Sequence, residues 1–256
     1  MSTRTLIFGV ALFSGLAAIV PTAQAGIIQP GSVLIFSGAG NLGITSLSFQ
    51  CNQPGDTQCV VAPSGSGDFS VSNSTGNFAQ YNLTFGLIKS LNNAGQPLNT
   101  AFSLPSWISF DLNSQIGLEL TFLPLGTDPQ SANCAGLTVC TPTSNLLITP
   151  NNPGGLTGFD LTQTGSNTAA TFFVGGIAHA TDGTFDSFSG IFTTQFAGLN
   201  PQQTLAALAT GNPQSYSAVI TLAGSSVPVP EPLTLSMFAV GLVGAAAIRR
   251  HKGKKA

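Results

Sequence analysis

Few residues between positions 26 and 226 could do chemistry, and their spacing limits what that chemistry could be. His179, in Gly176-Ile177-Ala178-His179-Ala180, is the one histidine there, and so the one ordinary base near neutral pH. A hydrolytic triad needs a nucleophile, a base and an orienting acid. No G-x-S-x-G, H-E-x-x-H or S-x-x-K pattern surrounds any candidate, so His179 is expected as a polar side chain on a strand or at its end. A glycosidase needs two carboxylates at a set separation. Asp56, Asp68, Asp111, Glu119, Asp128, Asp160, Asp182 and Asp186 are available, mostly in turns or on the polar face of alternating strands, where a carboxylate is ordinarily solvated. Asp182-Gly183-Thr184-Phe185-Asp186 could offer oxygens to calcium but lacks the alternating acid series of an EF-hand loop. These patterns predict no catalytic residue, no metal ligand and no cofactor.

The four cysteines fall into two close pairs, Cys51 with Cys59 and Cys134 with Cys140. Neither spacing is that of a zinc site. In an exported chain an even count at short spacing suggests disulfides, and of the three pairings the sequential one is simplest, each pair enclosing a loop with turn residues. Each closure would add ~2–3 kcal/mol by the chain-entropy estimate. Lys89 is the only cation among residues 26–226, against eight acids, so this stretch carries seven net negative charges although the whole chain carries −2. That balance excludes a nucleic-acid partner, because nothing matches a phosphate backbone.

The elements that must position these residues show in the hydrophobic pattern. Tyr81, Leu83 and Phe85 alternate with polar residues, as do Ile108, Phe110 and Leu112, then Leu118, Leu120 and Phe122, then Tyr216, Ala218, Ile220 and Leu222. Period two marks half-buried strands. Weaker strands are predicted over residues 33–36, 44–49, 159–162, 171–174 and 191–196. Gly-, Pro- and Asn-rich stretches such as Asn92-Asn93-Ala94-Gly95 supply turn chemistry between them. One helix is predicted late: Asn200 caps it, Pro201 fits its first position, Gly211 follows its end, and Leu205, Leu208 and Ala209 face the sheet. Many short strands with such turns argue for an antiparallel sandwich or barrel, and the predicted fold is all-β, an antiparallel β-sandwich or jelly-roll-like domain over residues 26–226 with one short late helix, plus a C-terminal transmembrane helix.

Both ends carry addressing signals. Residues 1–25 read as a signal peptide: Arg4, then an apolar run, then Ala23-Gln24-Ala25, with cleavage expected before Gly26. The tail, residues 227–256, has three parts in order. The prolines around Glu231 bar a helix or central strand. Residues 233–248 hold no charge and as a helix would span ~24 Å, slightly short of a ~30 Å hydrocarbon core. The basic end, with Arg249, Arg250, Lys252, Lys254 and Lys255, can snorkel and would stay cytoplasmic.

Pro230-Glu231-Pro232, a short apolar span and an Arg-rich end together resemble the PEP-CTERM sorting signal, the substrate tail of exosortases in Gram-negative bacteria that make exopolysaccharide. The resemblance is confined to the tail and implies nothing about the fold or activity of residues 26–226. It implies that an exosortase, a membrane-embedded cysteine enzyme, reads Pro230, Glu231 and Pro232 and cuts near them. The protein would be a membrane-anchored precursor first and a cell-surface or extracellular protein afterwards.

Two functions follow as expectations. One is a non-catalytic, structural or adhesive component of the surface or extracellular matrix, linked to biofilm and with exopolysaccharide as a partner. The other is a lectin-like carbohydrate-binding module, whose best aromatic platform would be an exposed Trp107; as a strand-start residue it is more simply a core side chain. An enzyme would need a pocket joining His179 to two acids.

Overall fold

In the computed structural model, which describes residues 28–51, 59, 65–112 and 115–224, the alternating segments become strands. In chain order these are β1 (Val33–Leu42), β2 (Ser46–Gln50), β3 (Ser66–Val71), β4 (Phe85–Lys89), β5 (Leu91–Asn92), β6 (Leu104–Phe110) and β7 (Ile116–Phe122). They continue with β8 (Gln130–Ser131), β9 (Val139–Pro142), β10 (Phe159–Thr164), β11 (Asn167–Ala180), β12 (Phe185–Phe196) and β13 (Gln214–Leu222). One helix, α1 (Pro201–Leu208), joins the last two.

Strands β1, β3, β4, β6, β7, β11, β12 and β13 each pair antiparallel with the next, and β13 pairs back with β1. The result is a closed antiparallel β-barrel of up-and-down order: the all-β class with one short helix is as expected, while of the two architectures that the strand pattern allows it is the barrel and not the sandwich or jelly roll that forms. Alternation is the same in both architectures. What differs is that accumulated strand twist brings the first and last strands edge to edge, which removes the open edges a sandwich keeps.

The barrel has two unlike poles. Gly38, Tyr216, Thr194 and Ala170 lie side by side near one of them. At this pole β1 leaves β3 for β2, and β11 leaves β7 for β10, so the wall parts. β2 carries β5 beyond it, and β10 carries β9 and β8. The helix also sits here. The opposite pole holds the tighter connections, together with both ends of the described chain, near Ile28 and Gly224.

Inward positions fill the barrel with rings. Phe36 lies 4.6 Å from Phe69 and 5.5 Å from Phe192; Phe192 lies 4.6 Å from Phe172; Tyr81 stacks on Phe110 at 3.8 Å. Burying each such side chain contributes ~1.5–3 kcal/mol. Space for the Tyr216 ring exists because residue 38 is glycine: a Cβ there would stand 2.6 Å from the phenol oxygen. Burial, then the Asp68 carboxylate, holds the Tyr216 hydroxyl well above its ordinary pKa, and it has no hydrogen-bond partner among the described residues.

Three local expectations change, the first at Leu112, which lies beyond the end of β6 and is exposed instead of facing the core. Residues 76–81 form a 3-10 helix instead of entering a strand, and Leu83 stands exposed at φ 64°. The Asn82 side chain accepts from Ser74 N at 2.7 Å and donates to Ser74 O at 3.0 Å, while Thr84 Oγ1 donates to Tyr81 O. Such local bonds compete with a ladder, and the strand starts only at Phe85. In α1, Thr204 and Leu208 are buried while Ala209 is exposed, so the inward stripe lies a little to one side of the predicted one. The expected signal peptide, the sorting motif, the 233–248 span and the basic end lie outside the described residues. No helix among the described residues is long and apolar enough to cross a membrane.

Candidate functional site

The cysteines pair sequentially. Cys51 bonds Cys59 with a Cα–Cα distance of 5.6 Å, and Cys134 bonds Cys140 at 5.8 Å. The second bridge pins the loop before β9 against the core.

Trp107 lies wholly inside the barrel, its Nε1 donating to Lys89 O at 3.1 Å. Ser106 adopts φ 49° within a bulge between β6 and β7, so Trp107 and Ile108 both turn inward. It offers no exposed platform. His179 stands on the outer wall beside Glu119, Nε2 to Oε2 3.0 Å, and Ser103 Oγ donates to the other carboxylate oxygen at 2.6 Å. The carboxylate thus sits between hydroxyl and imidazole. A base that does not touch its nucleophile cannot take its proton, so this trio is a surface clasp. The Ser103 hydroxyl first, and His179 beside it, hold the Glu119 carboxyl below its ordinary range.

The structure also separates the possible calcium donors. Asp182 Oδ1 accepts from Thr184 N and Oγ1 within the β11–β12 turn, whereas Asp186 points inward and accepts from Gly224 N at 2.9 Å. Asp128 and Asp160 do come together. Asp160 is buried and accepts from Thr127 N at 3.0 Å, Asp128 N at 3.3 Å and the Thr141 hydroxyl, all of which tie down the loop after β7. Desolvation, then the Asp160 charge, pushes Asp128 upward. Among the described residues no three His, Cys, Asp or Glu side chains gather into a metal site.

What sequence reasoning missed is the outer face of β11, β12, β13 and β1. Strand register lines up Thr171, Thr193, Ser217, Ser37 and Ser70 in one row across these strands and β3. At ~4.8 Å between strands the row runs ~19 Å. Beside it runs a second row, Phe173, Ile191, Val219 and Ile35, of which the first three are 38%, 44% and 42% exposed. No outward position of β1, β12 or β13 carries a charge. Solvent-facing strands usually show Lys and Glu there, and Ser/Thr in their place was the available signal. Which residues share a row depends on register between distant strands, and that the sequence does not display.

A cleft opens at the parted pole, between the β2–β5 flap and the segment leading into β10. Its cavity volume is about 70 Å³, within an envelope of about 500 Å³ that includes the open mouth. No protein-family model, curated protein or solved structure matches this chain.

Proposed function

We propose that this protein is an exported, exosortase-sorted component of the bacterial cell surface or extracellular matrix that adheres to exopolysaccharide without catalysing a reaction on it. The observation that carries the reading is the outer face of β12, β13 and β1, which carries no charge, with its parallel hydroxyl and apolar rows. Sugar rings present C–H faces flanked by hydroxyls, and a strip of Phe173, Ile191 and Val219 beside Thr193 and Ser217 complements both. A neutral polymer suits it better than an acidic one, because the face offers no cation. The two disulfides suit an oxidising, extracytoplasmic setting. A lectin centred on Trp107 loses its platform to the core, which favours broad, adhesive contact over a single sugar pocket.

The test is co-sedimentation with insoluble neutral exopolysaccharide from a PEP-CTERM-bearing bacterium. Ile191→Lys combined with Val219→Lys is expected to cut retention at least tenfold while the melting temperature stays within a few degrees, because both side chains face outward. Retention equal to wild type would remove the face from the reading.

A further inference from the structure

We infer that the cleft at the parted pole is a binding site for a small uncharged amphiphile, one with an apolar acyl or aromatic body and a neutral head bearing a carbonyl oxygen. Its origin is topological: β1 and β11 both exchange partners at this pole, and a narrow gap remains between their new partners over a floor of mostly buried apolar residues. The floor is apolar, built from Leu42, Leu91, Leu123, Leu147, Phe159 and Phe172. A smaller hollow lined by Phe49, Phe192 and Tyr216 shares Leu42, Leu47 and Phe172 with it and extends it toward the barrel interior. Mouths of β-barrels are recurrent ligand sites of this composition.

The head-group chemistry follows from the rim. Asn92 Oδ1 accepts from Gly95 N at 2.8 Å and Gln96 Oε1 accepts from Asn92 N at 3.0 Å, so the turn takes up both amide oxygens. The side-chain amide N–H groups of Asn92 and Gln96 make no hydrogen bond among the described residues and can donate to an acceptor on a ligand. None of the lining residues is acidic, basic or histidine. A carboxylate or ammonium head would therefore enter a partly desolvated site with no countercharge, which is costly. This site lies at the parted pole and is distinct from the glycan-facing wall.

The experiment is calorimetric titration of the protein, purified without detergent, with N-methyl amides of increasing acyl length. Affinity is expected to rise about fourfold per added methylene until the cleft is full, the worth of one buried CH₂. Octanoate and octylammonium should each bind at least tenfold more weakly than N-methyloctanamide. Ser46→Trp, or Thr45→Trp if the first variant melts early, should plug the mouth and weaken binding at least tenfold with the melting temperature kept. The Ile191→Lys, Val219→Lys variant should bind as wild type. No binding of N-methyloctanamide up to about 1 mM, equal binding of octanoate, or indifference to both plugs would each overturn the assignment.

Discussion

Glu119 shows how little of the polar chemistry on this barrel is free to act. Its carboxyl is lowered by the Ser103 hydroxyl and by His179, so it favours the folded state only while ionised. For a group depressed on folding, the contribution is present above its ordinary value of 4.5 and lost as pH falls through the lowered one. Glu119→Gln should therefore lower the melting temperature slightly near pH 6 and show a shallower decline than wild type as pH falls below 4.5. The group is near the surface, so the effect is small. Parallel melting curves across that range would show that the clasp contributes nothing. Asp160 is the opposite case, buried under a loop whose backbone it holds. Both acids serve the fold, and that is why a count of eight carboxylates said so little about catalysis.

Elements explain what was legible and what was not. The start of the helix was readable because its signals are local: Asn200 Oδ1 accepts from Gln203 N at 2.9 Å, Gln203 Oε1 accepts from Asn200 N at 3.0 Å, and Pro201 occupies the first turn; its end, at Leu208, comes a little before the expected one. Asn200→Ala should cost ~1 kcal/mol, read as a lower urea midpoint with an unchanged slope; no shift would mean that packing of Thr204 and Leu208 alone holds the helix. The disulfides were equally legible, since short loops make sequential pairing geometrically easy. Strands with strict alternation, β7 and β13 above all, appeared where expected. The segment from Tyr81 to Phe85 alternates just as well, yet Asn82 and Thr84 spend their side chains on the backbone and break it. Trp107 is a core side chain, as its strand-start position suggests, but the bulge that turns it inward has no local signal. Barrel closure, the paired outer rows and the cleft all arise from pairings between distant strands. Composition and period carry no record of those.

At the scale of the whole molecule the poles organise everything. Both described ends leave from one pole, and the helix, the flap and the cleft occupy the other. If residues 233–248 hold the precursor in a membrane, the cleft faces away from it. Glu231→Ala should then leave insertion and the fold intact but cause full-length precursor to accumulate, whereas deleting Arg249 to Ala256 should weaken retention. Mass spectrometry of the wild-type surface protein, in a host with its exosortase, checks the premise: a C-terminus still at Ala256 would replace sorting by a permanent anchor. The shared exit pole also has a mechanical meaning. β1 and β13 are antiparallel neighbours whose outer ends, at Val33 and Thr221, sit together. Tension applied between the two chain ends would peel their rungs one at a time, like a zipper. Tension between the tail and a polymer held on the outer wall would instead run along β13, loading its rungs to β1 and β12 in shear. The shared exit pole thus makes the direction of pull decide whether the β1–β13 seam opens rung by rung or is loaded along its length.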